Sequence, residues 1–149
     1  MSDKILFDPD KISIVEFKIN KDQIDTPDDF LIDKIIGYSL DNSLKLAYNL
    51  KEKLIRVDLT IDIKTASNGL NTNEVTGNFH MIFIYRIENL EELAIPDKND
   101  TIVLHSSLGN ALSSITYSTS RGILISRVQG TALQNFMLPI INPNKLLID

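Results

Sequence analysis

The sequence predicts an α+β fold in which antiparallel strands come first and helices follow. Two observations predict it: apolar and polar residues alternate over three successive stretches before Pro96, and apolar or small residues recur at helical spacing after it. The 149 residues suffice for one domain with a hydrophobic core. We expect a flexible leader over residues 1–10 and a single domain over residues 11–149.

The first strand is predicted over residues 12–19, which are rich in β-branched and aromatic side chains. Its alternation slips where Ile14 and Val15 adjoin, and this irregularity indicates a β-bulge or bend. Residues 20–32 are polar and include Pro27, so we interpret them as a connection.

Three further strands follow, each with one apolar face. Their apolar positions are Leu44, Leu46, Tyr48 and Leu50 in the first, Ile55, Val57, Leu59, Ile61 and Ile63 in the second, and Phe79, Met81, Phe83, Tyr85 and Ile87 in the third. Residues 49–53 and 66–73 link these strands. Links this short require antiparallel neighbours, because a parallel pair needs a crossover of about a dozen residues. The three strands are therefore predicted to form a meander.

A long helix is predicted over residues 101–128, with Asp100 or Thr101 as its cap. Apolar or small residues recur along it at Leu104, Leu108, Ala111, Ile115, Thr119 and Gly122. At 1.5 Å per residue it would be roughly 40 Å long. The Gly-Thr pair at 130–131 ends it, an extended crossover with two prolines follows, and a short helix begins at Asn144.

Composition and charge exclude several classes of protein. The chain has no cysteine, which excludes disulfides and thiolate metal sites. Its start carries acids where a signal peptide needs basic residues, and no stretch approaches the roughly 18 apolar residues of a membrane span. Residues 1–33 hold nine acids against four lysines, a balance that repels phosphate backbones. We therefore expect a cytoplasmic protein with no nucleic-acid partner and no membrane insertion.

Few side chains could carry out catalysis, so we predict that the protein is not an enzyme and uses no cofactor or metal. Its two histidines, His80 and His105, fall on different predicted elements, and we interpret both as structural or surface residues. The motifs of serine hydrolases, zinc proteases and phosphate-binding loops are absent from the sequence. An enzyme remains the alternative if either histidine lies beside a carboxylate in a deep pocket.

Two segments near the end carry a resemblance to a known family. Residues 117–131 (YSTSRGILISRVQGT) are followed by residues 138–146 (LPIINPNKL). Together they resemble the long helix, the Gly-Thr turn and the proline-containing crossover of the SecB export chaperones. The order of a bent strand, three meander strands and a long helix agrees with that family over about residues 12–147.

The resemblance implies a four-stranded antiparallel meander sheet, with a long helix and a short C-terminal helix packed on one face. It also implies a homotetramer, built as a dimer of dimers, that binds unfolded polypeptide or preprotein in exposed hydrophobic grooves without ATP. Such chaperones deliver clients to the export motor ATPase. Some relatives instead protect a single antitoxin, so a dedicated single-partner protein is the alternative.

Candidate residues follow from these expectations. The client-binding candidates are Phe17, Ile19, Leu44, Leu46 and Tyr48, because they lie on early strands on the side where a bent strand leaves the sheet; the alternative is that they are core. The oligomer-interface candidates on the helix are Leu112, Ile115, Thr119 and Ile123; the alternative is that they pack only on their own sheet.

Asp58 and Asp62 lie on the polar side of the best-patterned strand. The outward sheet face of SecB is acidic and docks the export motor, so the resemblance makes these two aspartates motor-docking candidates. Arg56 and Lys64 on the same face dilute the acidity, and a solvated sheet face is the alternative.

Overall fold

The computed structural model describes residues 7–69 and 73–147, and an antiparallel sheet is its centre. The strands are β1 (Ile12–Asp25), β2 (Ile35–Asn49), β3 (Leu54–Ser67), β4 (Thr76–Ile87), β5 (Ala94–Pro96) and β6 (Ile102–Leu104). The α-helices are the single turn α1 (Leu90–Leu93) and the long α2 (Ser106–Arg127). Short 3-10 turns occupy Pro9–Lys11, Ile32–Lys34 and Pro143–Leu146.

The first four strands form one sheet in the order β1-β4-β3-β2, with every pair antiparallel. The predicted meander is confirmed for β2, β3 and β4. The β2–β3 turn is tight: Lys53 adopts φ 60° and donates its N–H to the Leu50 carbonyl at 3.3 Å. β1 pairs with β4, so the first two strands of the chain lie at opposite edges of the sheet.

The bulge predicted at Ile14-Val15 is confirmed by a register shift between Ile14 and Glu16, and a second shift follows between Ile19 and Lys21. Two strands are longer than predicted, since β1 continues to Asp25 and β2 begins at Ile35. The added residues are mostly polar or lie next to glycine, and backbone pairing with β4 or β3 holds them extended. Pairing of this kind leaves no periodic trace in the sequence.

One face of the sheet is the core. The inward apolar residues of β3 and β4 are at most 2% exposed, and α2 lies across them. The helix contributes Leu108, Leu112, Leu124 and the small residues Ser113, Thr116 and Ser120 to this contact. The Tyr85 and Thr116 hydroxyls, 2.7 Å apart, join the sheet to the helix. The chain thus has the predicted layers, a sheet with its helices on one side.

The start of the long helix differs from the prediction. α2 begins at Ser106 with His105 as its N-cap, and Ile102–Leu104 form a strand instead. A turn at residues 97–100 folds β6 back on β5, and Asp97 donates its N–H to the Thr101 carbonyl at 2.6 Å. The β-branched residues that precede Leu104 suit this small ribbon better than a helix.

The C-terminal segment, residues 139–147, returns across the sheet towards β2. The Tyr117 hydroxyl donates to the Pro139 carbonyl at 2.5 Å, and Ser113 Oγ donates to Asn144 Oδ1 at 2.8 Å. The predicted terminal helix is a 3-10 turn over Pro143–Leu146, after which Leu147 forms an isolated parallel β-bridge with Leu44. These contacts fix the segment against α2 and the β2 edge.

The predicted leader is described only from Phe7 onward. Phe7 packs partly buried against the core, and Asp8 accepts the Asp10 N–H at 3.0 Å to cap the first 3-10 turn. Within the described residues, every helix is too short or too polar to span a bilayer.

Candidate functional site

A groove of about 650 Å³ opens between β2, the β5–β6 ribbon, the start of α2 and the C-terminal segment. We call it the β2 groove. It is lined by Leu46, Tyr48, Ile102, Val103, Leu104, His105, Ser106, Gly109, Asn110, Asn144 and Leu147. Aliphatic and aromatic side chains form most of this surface, and a few polar groups lie at the helix start. Such a lining suits an apolar ligand with a polar backbone.

The sheet register explains why Leu46 and Tyr48 of β2 line the groove. Leu46 is opposite Val57 and Tyr48 is opposite Ile55, and both partners are fully buried inward residues of β3. Leu46 and Tyr48 therefore face the same side as the core, but at the sheet edge they stay half-exposed. Burial raises the pKa of the Tyr48 hydroxyl, in keeping with an apolar surround.

The remaining walls are held by hydrogen bonds. His105 donates its N–H to the Leu93 carbonyl at 2.7 Å, and its Nδ1 accepts the Ser107 N–H at 3.2 Å. This cap aligns the ribbon with the start of α2. On the other side Asn144 contacts Asn110 through their amide groups. Residues from four separate elements thus converge on one open channel.

A second apolar surface lies along β1 at the opposite edge of the sheet, where the register places Ile14 and Phe17 on the inward side. Ile14, Val15 and Phe17 are 48%, 46% and 38% exposed, and we call them the β1 strip. The Phe17 ring lies 4.9 Å from the Phe83 ring, so the strip continues the core outward beyond the area that α2 covers. Exposed apolar patches that are continuous with a core commonly mark contact surfaces.

The structure separates the five client-binding candidates. Leu46 and Tyr48 line the β2 groove, whereas Phe17 and Ile19 lie on β1 at the far edge. The expectation that they share one side is wrong, because β1 pairs with β4 and not with β2. Leu44 is 0% exposed and its backbone pairs with Leu147, which leaves it no surface for a client. Client contact at the other four stays a prediction.

The four interface candidates on α2 also divide. Leu112 is 0% exposed and belongs to the core, so it has no free surface in this chain. Ile115 and Ile123 are half-buried and pack against the edge of the core, and Thr119, one turn from each, is exposed. Association through these three residues stays a prediction.

The outward face of the sheet carries charges of both signs. Register brings five acids to this face, namely Glu16, Asp25, Asp41, Asp58 and Asp62. It brings six bases, namely Lys18, Lys21, Lys45, Arg56, Lys64 and Arg86. The face is therefore a mosaic of charge without an acidic excess.

Both motor-docking candidates, Asp58 and Asp62, contact other polar side chains on this face. Asp58 Oδ1 is 2.9 Å from Arg56 Nε and 3.5 Å from His80 Nε2. Asp62 accepts a 2.6 Å hydrogen bond from Asn78 Nδ2 and lies opposite Asp41 in the sheet register. Neighbouring bases thus offset the negative potential that Asp58 could present to a basic partner.

The histidines occupy structural positions. His80 Nδ1 is 3.0 Å from Asn20 Nδ2, and the His80–Asp58 pair lies on the outward sheet face among exposed charges such as Arg56. His105 is the cap of α2. Among residues 7–69 and 73–147, no group of three or more His, Asp or Glu side chains is placed to hold a metal ion.

Sequence reasoning missed the ribbon and terminal walls of the β2 groove. The sequence pattern predicts a helix for residues 102–104 and a short terminal helix that includes Leu147, and it gives neither segment a role in a site. The turn residues at 97–100, followed by the β-branched pair Ile102-Val103, are the signal that could have identified the ribbon. No local sequence pattern predicts that residue 147 pairs with β2.

Comparison with known proteins gives a structural likeness. A scan of protein-family models and a search of curated proteins find no match. A SecB-like chaperone of Mycobacterium tuberculosis, solved in complex with a ChAD peptide from the HigA1 antitoxin, superposes with a TM-score of 0.62 at 13% identity. The alignment covers 89% of this chain and 91% of the other.

A protein of unknown function from Streptococcus agalactiae aligns over 87% of this chain and 97% of the other, at 10% identity. Its TM-score is 0.32, too low to support an inference. The mycobacterial match and the strand order β1-β4-β3-β2 agree with the fold that residues 117–131 and 138–146 predict. The chain has the SecB-like fold.

Proposed function

We propose that this protein is an ATP-independent chaperone that holds unfolded polypeptide in the β2 groove. The observation that carries the proposal is the groove itself, an open apolar channel bordered by the exposed edge of a sheet. The mycobacterial protein of the same fold was solved with a bound antitoxin peptide, which supports a polypeptide as the ligand. A holdase of this kind needs adaptable apolar surface and no nucleotide site.

The test is suppression of aggregation of a chemically denatured client, without nucleotide. The wild-type chain is expected to suppress aggregation at a near-stoichiometric ratio, and the double variant Leu46→Ser with Tyr48→Ser is expected to lose most of this activity. Ile125→Ser is the matched control, because Ile125 is 36% exposed near the other end of α2. Equal activity of the double variant and the control would refute the assignment of the groove.

The second candidate function is the protection of one dedicated partner, as in a toxin–antitoxin system. The mosaic of charge on the outward face favours it, because docking of an export motor through Asp58 and Asp62 calls for an acidic face. We place the protein in the cytoplasm. A pull-down of the tagged chain from its own cells separates the two functions. One dominant protein supports the dedicated role, and many unrelated ones support the general holdase.

For assembly, we propose dimers that form through the β1 strip and through Ile115, Thr119 and Ile123 of α2, and that pair into a homotetramer. Phe17, at 38% exposure, and Ile14, at 48%, would be covered in such a dimer. Light scattering of the wild-type chain should give a mass of two or four subunits. Phe17→Asp should lower that mass, whereas a monomeric wild type contradicts the assembly.

A further inference from the structure

A dimple of about 210 Å³ lies on the outward face of the sheet, close to the β2–β3 turn. We call it the outward dimple, and it is lined by Ala47, Tyr48, Asn49, Leu54, Arg56 and Ile84. In the sheet register Leu54 lies opposite Arg86 of β4, and Arg56 lies opposite Ile84. These four side chains are on the face away from α2, so the dimple and the β2 groove are separate surfaces, although Tyr48 borders both.

Apolar side chains form the floor of the outward dimple, on a face that is otherwise polar. β4 places two isoleucines on this face, Ile82 and Ile84. Ile82 lies between Lys18 and Asp58 in the register, and it is 2% exposed. Ile84 is only half-buried, and so is Leu54 beside it. The chain therefore covers one outward isoleucine with its own side chains and leaves the apolar surface at the other open.

The rim of the outward dimple carries an arginine that is available to a ligand. Within residues 7–69 and 73–147, no acid lies within ion-pair distance of the exposed Arg86 guanidinium. Arg56 is also at the rim, but its Nε already pairs with Asp58 Oδ1 at 2.9 Å. Glu16, opposite Ile84 on the β1 side, is the nearest acid in the register. An unpaired guanidinium beside an apolar floor favours a ligand that has a carboxylate next to an apolar group.

The size of the outward dimple separates two kinds of ligand. Sites for whole small molecules are usually cavities of roughly 300 Å³ or more that bury most of the ligand. The outward dimple is below this range and opens on a sheet face. It can hold one apolar side chain while the rest of the ligand stays outside. Protein interfaces often gain much of their affinity from a few side chains seated in pockets of this kind.

We propose that the outward dimple docks an acidic partner protein, which inserts one leucine-sized side chain beside Leu54 and Ile84 and places a carboxylate on Arg86. This partner has the opposite charge to the basic one that docking through Asp58 and Asp62 would require. The inference goes beyond the proposed function, because a client in the β2 groove and this partner would contact opposite faces of the sheet.

The first experiment measures binding of N-acetyl-leucine, a probe that has an apolar side chain and a carboxylate, to the isotope-labelled full-length chain. NMR shift changes at the amides of Leu54 and Ile84 should report a dissociation constant of about a millimolar, as expected for a single seated side chain. N-acetyl-leucinamide lacks the carboxylate and should bind about fivefold more weakly, because an exposed ion pair contributes up to about that factor. N-acetylglycine, without the side chain, should leave these amides unshifted.

Matched variants locate the binding. Arg86→Gln should weaken N-acetyl-leucine about fivefold and leave N-acetyl-leucinamide unchanged, because the amide has no charge to pair. Lys21→Gln removes the same charge from the outward face opposite His80, roughly 20 Å along β4 from Arg86, and should change neither constant. Ile84→Thr keeps a β-branched residue but removes part of the apolar floor, so it should weaken both probes. Equal effects of Arg86→Gln and Lys21→Gln would overturn the site, and so would wild-type binding by Ile84→Thr.

A second experiment tests for the partner protein in cells. p-Benzoylphenylalanine in place of Lys45, an outward residue two positions from Ala47, should cross-link a protein seated at the outward dimple. Arg86→Glu would repel the partner's carboxylate and should abolish the adduct, whereas Lys21→Glu should retain it. An adduct that is insensitive to Arg86→Glu, or no adduct at all, overturns protein docking. Binding of N-acetyl-leucine at about a micromolar or tighter would also overturn it, because the site would then serve a small molecule.

Failure of this inference is distinguishable from failure of the proposed function. Arg86 lies outside the β2 groove, so Arg86→Gln should suppress client aggregation as the wild type does. A loss of suppression in this variant would contradict the separation of the two surfaces. If the probe leaves Leu54 and Ile84 unshifted, the docking site is overturned and the chaperone activity stands.

Discussion

The buried hydrogen bond between Tyr85 and Thr116 gives a prediction that tests how α2 is fastened to the sheet. Both residues are 0% exposed, and their hydroxyl oxygens are 2.7 Å apart. Tyr85→Phe keeps the ring in its stacked contact with Phe83 but leaves the Thr116 hydroxyl without its cross-layer partner. The free energy of unfolding should fall by about 1–2 kcal/mol, because a buried hydroxyl that loses its partner costs that much.

For a chain of this size, such a loss corresponds to a decrease in Tm of roughly 3–6 °C. Urea unfolding followed by far-UV circular dichroism measures it. Thr116→Val and the double variant complete a cycle, in which the coupling energy between the two residues should be about 1 kcal/mol. A coupling energy near zero would show that the two hydroxyls do not join the helix to the sheet, and would refute the reasoning.

The Tyr85→Phe variant should also change how stability depends on pH above 10. Burial raises the pKa of Tyr85 to about 12, against a smaller lowering by the Thr116 hydrogen bond. The unfolded chain ionises this tyrosine near pH 10, while the folded chain keeps it neutral, so the folded state loses stability as pH rises from 10 to 12. This loss amounts to about 2–3 kcal/mol, and Tyr85→Phe should lack it. Identical alkaline profiles of the two proteins would contradict the burial argument.

Three further predictions concern single side chains. Hydrogen bonds from Thr65 and Ser67 lower the pKa of Glu74, so its contribution to stability is present above the ordinary glutamate pKa and is lost as pH falls through the lowered one. Glu74→Gln should therefore flatten the acid limb of a stability profile, and an unchanged limb contradicts this. Leu112→Ala should lower the free energy of unfolding in urea by about 2–5 kcal/mol, because it truncates a core side chain. Thr119→Ala should change it by no more than about 0.5 kcal/mol. Equally small changes for both variants would contradict the assignment of Leu112 to the core. Gly77→Ala would place a Cβ 2.6 Å from Leu133 Cδ1 and should lower the free energy of unfolding by about 1–3 kcal/mol. Thermal unfolding measures this loss, and a variant with the Tm of the wild type would contradict the prediction.

The surfaces and the charges together define how the two candidate functions differ. The β2 groove and the β1 strip lie at opposite edges of one sheet, so the proposed client site and the proposed subunit contact do not overlap. The outward face has Lys45 opposite Asp58 and lacks an excess of acids that would attract a basic partner. On these grounds, the pull-down is the measurement that decides between a general holdase and a single-partner chaperone.

Much of the fold could be predicted because its signals are local. The alternation in β3 and β4 gave the buried face, and the break in alternation at Ile14-Val15 gave the bulge. The small residues after position 106 indicated a helix that packs closely on the sheet. The start of α2 was predicted too early, because Leu104 fits a helical repeat even though it belongs to a ribbon.

The candidate site could be predicted only in part. Leu46 and Tyr48 were identified as apolar residues of an early strand, but their partners in the groove come from β6, α2 and the C-terminal segment. Leu44 carries the same local pattern as Leu46, yet it is 0% exposed and its backbone pairs with Leu147. Contacts between residues about 100 positions apart leave no mark on the periodicity of either segment.

The sequence by itself determined which residues face inward on each strand, because side chains alternate by a geometric necessity of extended backbone. It also determined the antiparallel sense of β2, β3 and β4 through their short links. Only the tertiary structure decided that β1 pairs with β4, that Leu44 is sealed while Leu46 and Tyr48 stay open, and where the charges of the outward face meet. Those outcomes depend on which strand edges pair between segments far apart in the sequence. Backbone hydrogen bonds depend little on side-chain identity, so the sequence carries little information about this pairing.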